Sequence, residues 1–245
     1  MIKEADIYYV LNCPCTIADK DNYQRIIHKG LIERKNIITI AINARKIVMY
    51  NNKPEFREIF AHNNILPVPD GIGATLPMLL FNKKKSEKID FPGFMFDFCN
   101  KNNIRCYFLG TTEFNNKKAV RVIEKTYPGI KISGHHPGFN INEDKLLDEL
   151  LKSETKVVFV AMGSPKQELF SAKLANKSSG IIFVGVGGRF DILAGDKNRA
   201  PKLLIYLGLE WTYRFFSEPG RIKQQKKELI MYFSLFIKRL IFKPN

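Results

Sequence analysis

The stretch VPDGIGATLPMLL (68–80) places one acid and two glycines between a strand-like run and a helix-like run. Ligands of parallel sheets collect at that edge. A carboxylate there, Asp70, can take the proton of a substrate hydroxyl held within about 3 Å, or it can cap the following helix by accepting amide hydrogens. Gly71 and Gly73 allow a diphosphate close to the backbone, although D-G-x-G is a short pattern. AMGSPKQE (161–168) repeats the arrangement. Gly163 precedes a helix whose first free amides can hold an anion, Lys166 adds charge, and Gln167 offers a donor and an acceptor together. Glu168 opposes a purely anionic role and reads as a cap or as an acceptor for sugar or uridine hydroxyls. A third turn, GVGGRFDILAG (185–195), contains Gly187 and the charges Arg189 and Asp191, read as a pair near the same edge. Its spacing is not the dinucleotide fingerprint. Further on, RAPKLLIYLGLEWTYRFFSEPGR (199–221) offers Arg199, Lys202, Arg214 and Arg221, with Glu210 and Glu218 placed to orient them. Guanidinium forks suit a diphosphate that gains charge as it leaves.

Neither histidines nor cysteines spell a metal site. His135 and His136 in SGHHPGF lack a second spaced pair, so a hydrogen-bonding loop role is expected. Asp19 and Asp21 precede a helical pattern at 22–34 and read as capping. The spacing of Cys13, Cys15, Cys99 and Cys106 fits neither a disulfide framework nor a zinc pair, which leaves buried free thiols. No metal and no cofactor are expected.

These turns need elements to hold them. Apolar runs at 36–42, 64–69, 104–110, 130–134, 156–163 and 180–188 alternate with lysine-rich helical patterns. That rhythm predicts an α/β fold with a mostly parallel sheet and helices on both faces, Rossmann-like. The last two runs are apolar throughout, as central strands are. Between them 165–179 starts with Pro165 at an expected first helical position and repeats apolar residues at helical spacing.

The chain of 245 residues is 45% hydrophobic, enough for a core without disulfides or a structural metal. Its net charge of +15 points to nucleic acid, anionic lipid or phosphorylated small molecules. Residues 197–245 hold 11 Lys and Arg against three Asp and Glu, so a net +8 sits in this fifth of the chain. It reads as three helical pieces, 200–208, 209–217 and about 220–240. In the last, Ile222, Leu229, Ile230, Phe233, Ile237 and Leu240 form an apolar stripe opposite Lys223, Lys227, Ser234 and Lys238. An amphipathic basic helix of this kind suits an anionic membrane surface, and the alternative is that the stripe docks on the core. The expected division is a catalytic domain, 1–196, and a helical appendage, 197–245. No run is long enough to span a bilayer, and MIKEADIYYVLNC lacks the features of a secretion signal, so a cytoplasmic location is expected.

Together these segments resemble the WecG/TagA/CpsF family of glycosyltransferases, family 26 of the carbohydrate-enzyme classification. The resemblance runs through NARKIV (43–48), PDGIGA (69–74), the FLG turn ending at Gly110, GHHPGF (134–139), GSPKQE (163–168), GVGGRFDILAG and the long 199–221 segment. It implies an inverting transferase that moves an N-acetylmannosamine-type sugar from a UDP donor to N-acetylglucosamine on a polyprenyl diphosphate, for envelope, teichoic-acid or capsular glycans. It further implies Asp70 as base, Gln167, Arg214 and Arg221 as further catalytic residues, the two arginines closing over the donor diphosphate at the inner face of the plasma membrane, and Asn43 in the donor site. Many members carry a threonine two residues before the asparagine. Here that position is Ala41, with Thr39 further upstream.

A transferase with a glucose-, glucuronic- or mannosaminuronic-type donor and a noncatalytic membrane scaffold of the same fold are the alternatives. Nucleic acid is the weakest partner class, because the charge clusters in the appendage and no nucleic-acid module is evident. Subunit number is open and admits a homo-oligomer.

Overall fold

The computed structural model describes residues 6–87, 89–201, 203, 204, 213 and 222–242, with the side chains of the last helix described from Lys226 onward. A hairpin of β1 (Ile7–Val10) and β2 (Cys13–Thr16) opens the described chain. There follow α1 (Lys20–Ile32), β3 (Ile37–Ile42), α2 (Ala44–Asn52), α3 (Pro54–Glu58), β4 (Ile65–Pro69), α4 (Ile72–Asn82) and α5 (Phe91–Lys101). Next come β5 (Arg105–Gly110), α6 (Glu113–Thr126), β6 (Lys131–His136), α7 (Glu143–Lys152) and β7 (Val157–Ala161). Then α8 (Lys166–Ala175), β8 (Ile182–Gly185), α9 (Arg189–Leu193) and α10 (Ile222–Ile241) follow.

All six apolar runs read from the sequence are strands of one parallel sheet, in the order β4-β3-β8-β7-β5-β6. Period-two alternation sorts their side chains. Ile38, Ile40, Ile42, Tyr107, Leu109, Val158, Val160 and Phe183 pack with α2, α8 and the hairpin. Phe108, Phe159, Ile182 and Val184 pack with α1, α5 and α6 on the other face. Phe96 of α5 anchors that second layer, its ring 4.4 Å from Phe159 and 6.0 Å from Phe108 between centroids. Burial of these apolar faces is what drives the sheet together with its helices.

The connections locate the ligand edge. From β7 the chain runs through α8 to β8, whereas from the neighbouring β5 it runs through α6 to β6 on the opposite side. Adjacent parallel strands whose crossovers diverge leave a crevice at their carboxyl ends. Gly110 closes its floor: at φ +130 a Cβ would lie 2.3 Å from the Ala161 carbonyl, so only glycine lets the two strands converge.

Asp19 caps α1 by accepting from Asn22 N at 2.8 Å, as its position implied. All four cysteines are buried and free. Pro165 sits one residue earlier than expected, at the N-cap of α8.

Helix α10 lies on α2 and α4. Tyr232 donates its hydroxyl to the Gly73 carbonyl at 2.8 Å, Glu228 accepts from Arg45 Nε at 3.1 Å, and the Phe236 and Phe81 rings meet at 5.3 Å. The docked face is Met231, Tyr232, Leu235 and Phe236. The predicted stripe is therefore not the docked face: Ile230, Phe233, Ile237 and Leu240 are exposed, while Leu229 is half-buried. The side chain of Ile222 and most of the two preceding helical pieces lie outside the described residues. Among the described residues no helix is long and apolar enough to cross a membrane.

Candidate active site

Asp70 follows β4 directly and its amide donates to Ile42 O at 2.7 Å, the last link between β4 and β3. Its carboxylate is exposed at the sheet edge. The N-cap of α4 is the next residue, Gly71, at φ +69, so the capping alternative falls one position off. Asn43 reaches Asp70 from the end of β3: its Nδ2 donates to Asp70 Oδ2 at 3.2 Å. Asn43 is also the N-cap of α2 and accepts from Lys46 N at 3.2 Å. Gly73 is placed by packing, since a Cβ there would lie 2.8 Å from the Ala44 side chain. That contact draws the first turns of α2 and α4 together beside the acid. Thr39 is a correction to the candidates: it is buried within the sheet and donates to Phe183 O at 3.3 Å, below the edge. Ala41, two residues before Asn43, is half-buried at the edge.

The second turn follows β7 through a cis Ser164–Pro165 bond. Gly163 is open on the side where a Cβ would project. Lys166 is exposed, donates to Gly138 O at 3.2 Å and lies 5.7 Å from the centre of the Phe139 ring, tying this turn to GHHPGF. Gln167 and Glu168 are each only 2% exposed. Gln167 Oε1 accepts from Gly187 N at 3.1 Å and its Nε2 donates to Glu168 Oε1 at 3.0 Å. Glu168 Oε1 also accepts from Ser164 Oγ at 2.7 Å and pairs with Lys46 Nζ at 2.7 Å. Burial raises the cost of charging Glu168. The Lys46 ammonium, helped by bonds from Lys46, Ser164 and Gln167, outweighs it and holds the carboxyl below the usual range.

The third turn corrects a pairing. Arg189 and Asp191 do not meet, because side chains two apart on a helix diverge. Arg189 forks onto Asp90, at 2.8 and 3.2 Å, and Arg199 approaches the same carboxylate at 3.5 Å. Asp191 instead accepts from Thr111 Oγ1, from Asn115 Nδ2 at 3.3 Å and from Lys197 Nζ at 2.8 Å. Although burial opposes it, bonding to Lys197, Thr111 and Asn115 holds the Asp191 carboxyl below its ordinary value.

On the outer side of the crevice His135 and His136, expected in a loop, are instead the last two residues of β6, and His136 Nδ1 lies 2.6 Å from Pro137 O. Buried Asn116 stitches three segments together, donating Nδ2 to Phe108 O, Gly110 O and His136 O at 3.1, 3.0 and 3.2 Å. Lys46, Asp90, Thr111, Asn115 and Asn116 were missed by the sequence reading. A lysine amid the apolar residues of NARKIV and the polar run beginning right after Gly110 were the available signals. Glu210, Arg214 and Arg221, with Lys202 and Glu218, lie outside the described residues. Among the described residues no group of three His, Cys, Asp or Glu side chains could hold a metal ion.

A parallel sheet with diverging crossovers, an exposed carboxylate steadied by an amide, and glycine turns ringed by arginine and lysine define a Rossmann-like α/β protein with a polar ligand edge. The chain belongs to the glycosyl transferase WecG/TagA/CpsF family, whose sequence profile matches residues 8–245. It is 29% identical over 171 residues to an N-acetylglucosaminyldiphosphoundecaprenol N-acetyl-beta-D-mannosaminyltransferase of Bacillus spizizenii (strain ATCC 23059 / NRRL B-14472 / W23), covering 69% of this chain and 66% of that one. It is 27% identical over 217 residues to the protein of the same name in Bacillus subtilis (strain 168), covering 87% and 84%. The chain thus spans about two thirds of the first relative's length and most of the second's.

Proposed function

We propose that the chain is an inverting glycosyltransferase that moves an N-acetylmannosamine-type sugar from UDP to N-acetylglucosamine on a polyprenyl diphosphate, in envelope, teichoic-acid or capsular glycan synthesis. The observation that carries the reading is Asp70, an exposed carboxylate at the sheet's carboxyl edge with Asn43 Nδ2 bonded to one oxygen. The names of the two relatives supply the acceptor and the sugar.

Chemically, the acceptor hydroxyl attacks the anomeric carbon as the bond to UDP breaks, and its proton passes to Asp70. A carboxylate suffices because the hydroxyl becomes far more acidic as its bond to carbon forms. The leaving diphosphate needs cations and amide donors and no covalent catalysis. Arg189, Arg199 and the turns at Gly163 and Gly187 stand around the same edge, and Arg214 and Arg221 are assigned to the closing side. Residues 1–196 form the catalytic unit in this reading, and 197–245 bring it to an anionic membrane surface from the cytoplasmic side. Exposed Phe233, Ile237 and Leu240 on α10, and Leu76, Leu79 and Leu80 on α4, supply apolar contact, with Lys83, Lys84, Lys85, Lys227 and Lys238 nearby in sequence.

A transfer assay with a panel of UDP-sugars and a short-chain prenyl-diphosphate N-acetylglucosamine tests this. The expected outcome is a product whose mass has grown by one N-acetylhexosamine. Absence of product with every donor overturns the reading.

A further inference from the structure

One bonded chain links the three turns of the sheet edge. Asp70 Oδ2 accepts from Asn43 at 3.2 Å, and Asn43 Oδ1 accepts from Lys46 N at 3.2 Å. The Lys46 ammonium meets Glu168 at 2.7 Å, Gln167 donates to Glu168 at 3.0 Å, and Gln167 accepts from Gly187 N at 3.1 Å. It crosses from β4 through β3 and β7 to β8. Its central link is an ion pair whose side chains are 7% and 1% exposed.

A buried ion pair is a poor stabiliser, because the attraction in a low-dielectric interior rarely repays the loss of hydration, and apolar residues of the same volume do as well or better. Lys46 as a whole is only 5% exposed, and Met49, three residues on along the same helix face, lies in the core, so an apolar side chain has company there. What an apolar pair lacks is direction. An ammonium at 2.7 Å from one carboxylate oxygen fixes the distance between the first turns of α2 and α8. Those two turns carry Asn43 and Gln167.

We propose that Lys46 and Glu168 are positioning residues of the transferase, setting the Asn43–Asp70 turn against the Gln167–Gly187 turn without touching the reacting atoms. The inference rests on the functional reading above for its kinetic test and stands apart from it in a second, substrate-free test. It moves Glu168 from acceptor of sugar or uridine hydroxyls to a buried strut.

The double variant Lys46→Met/Glu168→Gln removes both charges while nearly keeping both volumes. Its Tm is expected within about 5 °C of the wild type. Its kcat is expected to fall about tenfold or more while KM for the UDP-sugar changes less than about threefold. Lys46→Arg, which keeps the pair, retains more of kcat than the double variant. A kcat within about twofold of wild type in a folded double variant overturns the proposal.

The second test uses 15N-labelled protein without substrate and follows the side-chain amides of Asn43 and Gln167. Both are expected to shift in the double variant and, should that variant not fold, in Glu168→Gln, which removes the carboxylate charge of the pair and keeps the side chain's shape. Unmoved Asn43 resonances overturn the strut even if the wild type transfers no sugar. Absent transfer with shifted resonances leaves the strut standing and sinks the assigned reaction instead.

Discussion

Asn43 Nδ2 donates to Asp70 Oδ2 at 3.2 Å while the oxygen of the same amide accepts from Lys46 N at 3.2 Å. One side chain thus starts α2 and steadies the carboxylate assigned as base. The two jobs can be separated, because aspartate caps a helix about as well as asparagine and cannot donate from an ionised carboxylate. Because Asn43 is its N-cap, the N-terminus of α2, with its partial positive charge, lies beside the Asp70 carboxylate.

For Asp70→Asn the expected loss in kcat is about 10²–10⁴-fold, the range for a general base. Stability is expected to change by less than about 0.5 kcal/mol, because the side chain is exposed. Asn43→Asp is expected to lose about tenfold or more in kcat while unfolding within about 1 kcal/mol of wild type. Turnover of Asp70→Asn at the wild-type rate in folded protein would place the base elsewhere.

Asp90 holds three groups: it caps α5 by accepting from Gly93 N at 3.3 Å, it takes the Arg189 fork at 2.8 and 3.2 Å, and Arg199 reaches it at 3.5 Å. Asp90→Ala removes the cap, worth about 1 kcal/mol, and a two-point charge-assisted contact. A loss of about 1–3 kcal/mol in urea unfolding is expected, with Arg189→Lys intermediate because an ammonium cannot fork. A loss under about 0.3 kcal/mol for Asp90→Ala would show that the cluster holds nothing.

The strands were legible in the sequence because each is a short, nearly unbroken apolar run. The opening hairpin was not. Its turn residues, Leu11 and Asn12, sit at φ 48 and 67 without the glycine that ordinarily marks such turns. Pro14 also stands inside β2, where strand patterns rarely place it. The Asp70, SPKQE and GVGG turns were legible from their glycines and charges. Their partners were not, because Asp90 lies 99 residues from Arg189, and Thr111 lies 80 residues from Asp191. No local spacing encodes such contacts, whereas the separation of Arg189 from Asp191 follows from helix geometry alone.

Acid should weaken the link between α6 and α9. The Asp191 carboxyl is held low by Lys197, Thr111 and Asn115 against the opposing effect of burial. A depressed carboxyl contributes stability that is complete above the unfolded value, about 3.9, and disappears as pH falls through the folded one. Glu168, also held low, acts in the same direction. Asp191→Asn is expected to cost about 1–3 kcal/mol at pH 7 and to lose less than wild type between about pH 5 and pH 3. Urea midpoints measured at stepped pH check it, and parallel curves for the two proteins would rule out Asp191 as a source of the acid slope.

The Tyr232 hydroxyl bonds the Gly73 carbonyl at 2.8 Å, three residues after the assigned base. Tyr232→Phe keeps the ring and leaves that carbonyl without this donor, at a cost of about 0.5–1.5 kcal/mol. If α10 is held chiefly there and at Arg45–Glu228, limited proteolysis within 226–242 should quicken in Tyr232→Phe and further in the double variant with Glu228→Gln. Equal cleavage rates in all three proteins would mean that the apolar contacts of the docked face hold the helix without these two polar links.

The docked face of α10 leaves Phe233, Ile237 and Leu240 turned outward, at 49%, 51% and 48% exposure, and the α4 residues Leu79 and Leu80 outward at 49% and 50%. The Phe81–Phe236 contact joins the two helices, so these are neighbouring surfaces. A full apolar side chain leaving water is worth about 1.5–3 kcal/mol, and roughly half of each is still exposed here, so three such groups supply about 2–4 kcal/mol toward a bilayer. Nearby lysines add about 1 kcal/mol each on an anionic surface. Phe233→Ser/Ile237→Ser/Leu240→Ser is therefore expected to weaken flotation with anionic liposomes by at least about 30-fold while unfolding within about 1 kcal/mol of wild type. Raising salt should weaken the wild type as well, since the lysine contribution is screened and the apolar one is not. Undiminished flotation of the triple variant would mean that Phe233, Ile237 and Leu240 do not reach the lipid.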